Sequence, residues 1–119
     1  MSESNKATLL RANAFVEKGD YESFLAHCTD DTEWTFLGDR TLRGKAAVRQ
    51  YMNATYVRPP VFSVGRLIAE GDTVAATGEI AIEDAAGKVT RSAYCDVWQF
   101  RDGKLHTLTA YVVDLGIET

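Results

Sequence analysis

The stretch DVWQFRDGKLHTLTAYVVD, Asp96–Asp114, decides the fold. Apolar residues alternate with polar ones on both sides of Asp102-Gly103. An Asp-Gly pair suits a two-residue hairpin turn, whose central positions need positive φ. Val89–Arg101 and Lys104–Asp114 therefore read as two antiparallel strands. Moving back along the chain, "DAAG" precedes this hairpin, Thr73–Glu83 forms a strand before it, and Gly71-Asp72 joins that strand to another at Val61–Glu70. The result is a four-stranded meander.

Ahead of Pro59-Pro60 the texture is different. Leu9, Ala12, Phe15 and Val16 keep helical spacing behind Ser2 and Ser4, which suit helix N-caps. Lys18-Gly19 stops that helix. Asp20 can cap a short second helix that turns Phe24, Leu25 and Cys28 inward, and "TDDT" breaks it. "TEWTFL" alternates as a strand, "GDRTLRG" reads as a loop, and Gly44 to about Thr55 is a third helix. Val48, Tyr51, Met52 and Thr55 share one face of it. The expected order is α-α-β-α-β-β-β-β, an α+β domain with helices on one face of a curled sheet.

The totals narrow the classes of function. The chain has 119 residues, 45% of them hydrophobic and 25% charged. That suits a single domain, 1–119, with one sizeable core. A net charge of −4 speaks against nucleic acid as a partner, because phosphate backbones select a basic face. No apolar run has the ~20 residues that span a bilayer, and the first 20 residues lack the apolar stretch of a secretory leader. Cys28 and Cys95 are the only two cysteines. Their spacing fits no CxxC pair, so a reduced, cytoplasmic protein is expected, with a single disulfide as the alternative. His27 and His106 lack companions at metal-ligand spacing, so no metal is expected. No phosphate-binding or dinucleotide fingerprint is present either, and no cofactor is expected.

Four segments in order, "KGDYESFLAHCTDDTEWTF", "LRGKAAVRQYM", "EGDTVAATGE" and "DVWQFRDGKLHTLTAYVVD", resemble SnoaL-like and ketosteroid-isomerase-like proteins of the nuclear-transport-factor-2-like superfamily. The resemblance covers about residues 8 to 115. It implies a cone-shaped, strongly curved mixed sheet wrapped around helices, with a deep apolar pocket at the open end. It also implies a homodimer packed through the sheet. Activity is less constrained, since one fold hosts many chemistries. Ketosteroid isomerases work with an Asp base plus a Tyr and a protonated Asp as oxyanion donors. The resemblance sets Asp96 at the oxyanion Asp, but Ala12 at the Tyr position and Phe36 at the base position. Tyr51 falls where the family has a pocket aromatic. One of three groups remains, which argues against steroid isomerisation by that mechanism. The limonene-epoxide-hydrolase pattern needs an Arg two residues before its strand Asp, where this chain has Tyr94.

Period-2 geometry puts Ser92, Tyr94, Asp96, Trp98 and Phe100 on one strand face. Trp98 and Phe100 want burial, so Asp96 is expected to face inward as the catalytic acid/base or oxyanion donor, with the Tyr94 and Tyr51 hydroxyls bonding the substrate. A surface Asp paired with an Arg is the alternative. Trp34, Phe36, Tyr51 and Trp98 are candidates for the pocket wall, or else for the core. Glu79 depends on register: a plain two-residue turn before Val89 puts it in the pocket, while a bulge at Gly87 turns it out and Ile80 and Ile82 in. If Val74, Ala76, Ile80 and Ile82 face outward, they would form the dimer contact. Asp114 is either a second pocket acid or a solvated strand end. Arg40, Arg43, Lys45 and Arg58 make a basic rim. The expected function is general acid–base chemistry on an apolar or polycyclic small molecule, as an isomerase, cyclase, dehydratase or hydrolase. A non-catalytic ligand-binding module and a structural dimer with a filled core stand as alternatives.

Overall fold

The computed structural model describes residues 2–116. Its elements are α1 (Ser2–Glu17), α2 (Tyr21–Leu25), β1 (Cys28–Phe36), β2 (Arg40–Arg43), α3 (Lys45–Thr55), β3 (Val61–Glu70), β4 (Thr73–Glu83), β5 (Val89–Arg101) and β6 (Lys104–Asp114). Helices packed against a curved, unclosed sheet are the α+β arrangement expected.

Helix α1 buries Leu9, Ala12 and Val16 on one face and stops where Gly19 takes φ +79°. Ser4 lies inside the helix, and the capping role read for Ser2 falls on a side chain outside those described. Asp20 caps α2, its Oδ1 accepting from the Ser23 backbone N–H at 3.1 Å. Cys28 is buried as expected, but as the first residue of β1 and not as part of α2.

Two corrections concern the N-terminal half. "TDDT", read as the segment that breaks α2, lies inside β1; the helix ends before it, at Leu25. Thr29 and Thr32 are buried, and the Thr32 hydroxyl donates to the His106 carbonyl at 2.7 Å. Asp30 and Asp31 point outward to Lys45 and Arg101. The second correction is β2, read as loop from sequence. It pairs antiparallel with β1, with Trp34 opposite Leu42 and Phe36 opposite Arg40. The observed order is therefore α-α-β-β-α-β-β-β-β. A four-residue edge strand with an arginine at each end carries no apolar alternation to find.

The sheet runs β2-β1-β6-β5-β4-β3. The β1–β6 pair is parallel and the others antiparallel, so the sheet is mixed. Register shifts between Val64 and Arg66 and between Gln99 and Phe100 bend it, as bulges do. The Asp102-Gly103 turn has positive φ at both residues (+53° and +77°), the type I′ pattern that matches strand twist.

Between β4 and β5, Glu83 pairs with Val89 and Ile80 with Ser92. Even-numbered residues of both strands thus share the concave face. Val74 and Ala76 are buried there, so an outer dimer patch built from Val74, Ala76, Ile80 and Ile82 is overturned. The physical reason is the five-residue connection 84–88, which sets the register so that the isoleucines leave water. Among the described residues no helix is long and apolar enough to cross a membrane.

Candidate functional site

The sheet register lays the concave face out in rows. The deepest is Trp34–Leu108–Trp98–Val74. The next is Phe36–Ala110–Asp96–Ala76, and beyond it come Val112–Tyr94–Gly78 and Asp114–Ser92–Ile80. Small residues stand on both sides of Asp96. They leave open space above it, and the helices do not fill that space. The resulting cavity holds about 400 Å³, closed by Asn13 and Val16 of α1, Phe24 of α2, and Tyr51, Met52 and Tyr56 at α3. This volume suits a compact small molecule.

Asp96 faces this cavity, half-buried, and no charged or hydrogen-bonding partner shifts its titration. Burial alone pushes its carboxyl up to about 7, because a desolvated carboxylate loses hydration that nothing replaces. The nearest basic residues along the strand, Arg91 and Arg101, are on the other face, paired with Glu79 and Asp31.

Three tyrosines surround the carboxyl. Tyr94 has its hydroxyl pushed up to about 12, by burial first and by Asp96 second. Its proton is donated to the Ser63 carbonyl at 3.0 Å, so toward a ligand its oxygen is an acceptor. Tyr51 is raised chiefly by burial. Its ring packs against Phe36 at 5.1 Å between centroids, with the Arg40 guanidinium 5.9 Å from its centre. Tyr56, at the C-terminal cap of α3, is raised by burial first, then by Tyr51, Asp96 and Tyr21. A phenol so disposed stays neutral and can donate.

Trp34, Phe36, Tyr51, Trp98, Tyr94 and Asp96 all line the one cavity. Glu79 does not. It is exposed on the convex face, with its Oε1 3.0 Å from an Arg91 nitrogen; the register that turns Ile80 and Ile82 toward the cavity turns it out. Asp114 stands past the mouth as an exposed strand end, its Oδ1 accepting from the Gly116 N–H at 2.7 Å. Sequence reasoning missed Tyr56, Asn13 and Asp39, which also border the cavity. Tyr56 follows the helical run and precedes Pro59-Pro60, and its aromatic character was its one signal. Asn13 is adjacent to the core residue Ala12, and Asp39 sits in the β1–β2 turn. The basic rim is ion-paired: Arg40 with Asp39, Arg43 with Glu33, Lys45 with Asp30, Arg58 with Glu83. Among the described residues, no cluster of His, Cys, Asp or Glu could hold a metal ion.

The SnoaL-like domain family matches residues 9–107. The chain belongs to that family. No curated protein matches it in sequence. Among solved structures, an NTF2-like protein of unknown function from Cytophaga hutchinsonii is 25% identical, covering 90% of this chain and 97% of its own, with a TM-score of 0.73. SalBIII, described as an epoxide hydrolase/cyclase-like enzyme in pyran ring formation in the polyether salinomycin, is 19% identical at a TM-score of 0.86, covering 93% of this chain and 92% of its own. TerC, co-crystallised with polyporic acid, is 20% identical at a TM-score of 0.78, covering 90% and 89%. The last two likenesses are of fold alone. Among the described residues of this SnoaL-like chain, the inner wall of the cavity carries one half-buried carboxyl, Asp96, and the position two residues before it is a tyrosine.

Proposed function

We propose that this SnoaL-like protein is an enzyme performing general acid–base chemistry on an apolar or polycyclic molecule with one or two oxygen functions. The observation that carries the reading is Asp96, an uncompensated carboxyl between Ala76 and Ala110 on the cavity wall. A group titrating near 7 supplies both protonation states at neutral pH, which is where general catalysts work best. As an acid it gives a proton to a substrate oxygen; as a base it takes one from carbon or from a hydroxyl. Tyr56 would donate to the same developing oxyanion, while Tyr94 would accept from a substrate hydroxyl. Isomerisation, cyclisation, dehydration and hydrolysis all fit this equipment. The pyran-forming role of SalBIII and the polyporic acid bound to TerC support an oxygenated cyclic substrate.

A non-catalytic ligand carrier is the second reading. It is favoured by the absence of another carboxyl from the inner wall among the described residues, Asp39 standing at the exposed mouth. Incubation with a panel of polyketide-like, steroid-like and terpenoid compounds, followed by mass spectrometry, separates the two. The enzyme reading expects product from the wild type and none from Asp96→Asn. Saturable quenching of tryptophan fluorescence without product in either protein would establish the carrier.

We also propose that two copies pair through the convex sheet face, and that the protein works in a reduced, cytoplasmic setting. The free state of both cysteines supports the latter.

A further inference from the structure

We infer that the cavity takes an elongated, amphipathic ligand end-on, with its oxygen function beside Asp96 near the floor and a hydrocarbon tail running out to an apolar rim at Leu37 and Val112. The inference rests on reading the cavity as a small-molecule site. It adds the shape of the ligand and a tail subsite, which acid–base chemistry at Asp96 does not require.

Asp96 is not central in the cavity. Inward of it lies one row, Trp34–Leu108–Trp98–Val74, whose members are 5%, 4%, 4% and 0% exposed. Rings of Phe24, Tyr51 and Trp98 pack around Trp34 at centroid distances of 5.9, 6.5 and 5.7 Å, so that end is filled. Outward of Asp96 the wall continues through Tyr94 and Val112, then Ser92 and Ile80, then Ile82. Along the strand Trp98 is ~7 Å inward of Asp96 and Ser92 ~14 Å outward, at ~3.4 Å per residue. A ligand that brings an oxygen to Asp96 has little room beyond that oxygen and much more behind it.

The outer rows are mostly apolar. The Tyr94 ring lies over Gly78, where an added Cβ would stand 2.9 Å from its Cζ, and its hydroxyl is committed to the Ser63 carbonyl. Ile80 pairs with Phe62 of β3, and both border the cavity, as does Ile82. Ser92 contributes one hydroxyl. Asp39 borders the mouth with its charge matched by Arg40 at 3.4 Å. On the β6 side the Leu37 N–H donates to the Ala110 carbonyl at 3.2 Å, which ties Leu37 to the strand two residues before Val112. Leu37 and Val112 both border the cavity, yet they are 52% and 50% exposed. Scattered exposed apolar residues are ordinary. These two continue an apolar wall, and covering such surface with hydrocarbon is favourable. Both side chains are apolar throughout, so any of their atoms offers a tail the same contact.

The test titrates methyl-labelled protein with cyclohexanone, 4-propylcyclohexanone and 4-pentylcyclohexanone, followed by NMR. Cyclohexanone should shift the Ala76 and Ala110 methyl signals. The alkylated ketones should shift these and also the Ile80, Val112 and Leu37 methyls. Affinity should rise at least about twofold per added carbon, where complete burial of a CH2 would give about fourfold. In the double variant Leu37→Ser, Val112→Ser, the ratio of pentylcyclohexanone to cyclohexanone affinity should fall at least about fivefold. The ratio cancels any change at the head of the site. Leu37→Ser alone, in the half-exposed β1–β2 turn, should lower the ratio in the same direction and guards against misfolding of the double variant. Cyclohexanone binding with no gain from the tail would overturn this inference and leave the cavity reading intact. So would a gain equal in wild type and variants, or tail-dependent shifts confined to Ala76 and Ala110. Rim substitutions that dissolve a dimer while the ketone series stays flat would also overturn it, giving the rim to a second copy. No shift from any of the three ketones, up to their solubility limits, would overturn both readings.

Discussion

Tyr94 reaches across Gly78 to the next strand, its hydroxyl bonding the Ser63 carbonyl at 3.0 Å. A Cβ on Gly78 would stand 1.9 Å from that carbonyl oxygen and 2.7 Å from the Tyr94 hydroxyl. Glycine is needed here for close approach of strand β3 and of a ring from β5, and not for an unusual φ. Gly78→Ala should therefore displace both. We expect a loss of about 2 kcal/mol or more, as for other overpacked sites, which corresponds to a drop of about 8 °C in melting temperature. Tyr94→Phe removes only the hydrogen bond and should cost ~1 kcal/mol. A Gly78→Ala protein that melts with the wild type would refute this contact.

The meander was legible because its signals are local. Glycines 71 and 103 mark turns, alternation marks strands, and the parity of Tyr94, Asp96 and Trp98 fixes which way the carboxyl points. Asp96's lack of a cation was legible for the same reason, since Arg91 and Arg101 have the other parity. What escaped depends on pairing between distant segments. β2 is a strand only because β1 lies beside it. Glu79 faces out because the connection 84–88 sets the register, which composition leaves open. Tyr56 enters the cavity because α3 ends where it does, and nothing in the sequence near it says what it will meet.

The cavity exists because Ala110 and Ala76 flank Asp96. Ala110 borders the cavity but is itself buried, so Ala110→Leu pushes added carbons against its neighbours and across the cavity, at the ~1–3 kcal/mol usual for overpacking. Ligand uptake should fall sharply while circular dichroism is unchanged. Tryptophan fluorescence titrations of the two proteins check this. Equal affinity in both would place the binding site elsewhere.

The proposed association through the convex face is predicted from what remains exposed there. Ile68, Tyr111 and Val113 are 59%, 48% and 63% exposed, on the opposite side from the cavity-lining rows. A contiguous apolar patch on a sheet is a common interaction surface. Sedimentation at micromolar concentration should give about twice the 13.1 kDa chain mass, and Val113→Asp should return the monomer. A monomeric wild type would reject the pairing.

The pH dependence of stability tests the state of Asp96. Its carboxyl titrates at about 7 in the folded protein against 3.8 in the unfolded chain. Between these values the native state holds a proton that the unfolded state has released, so stability falls as pH rises from about 4 to 7, and the deficit persists above 7. At ~1.36 kcal/mol per pKa unit the full shift corresponds to ~4 kcal/mol. Access to water through the cavity mouth brings the expected cost to about 2–4 kcal/mol. Asp96→Asn keeps the shape and removes the charge. It should melt well above the wild type at pH 8, and the gap should close as the pH is lowered to about 4. Turnover, or ligand affinity, should fall in the same variant, the pattern of a site that trades stability for function. A buried ion pair behaves in the opposite way, because removing one partner strands the other at a cost of ~3–5 kcal/mol. An Asp96→Asn protein less stable than the wild type at pH 8 would mean that Asp96 is a structural partner and not the acid of the site.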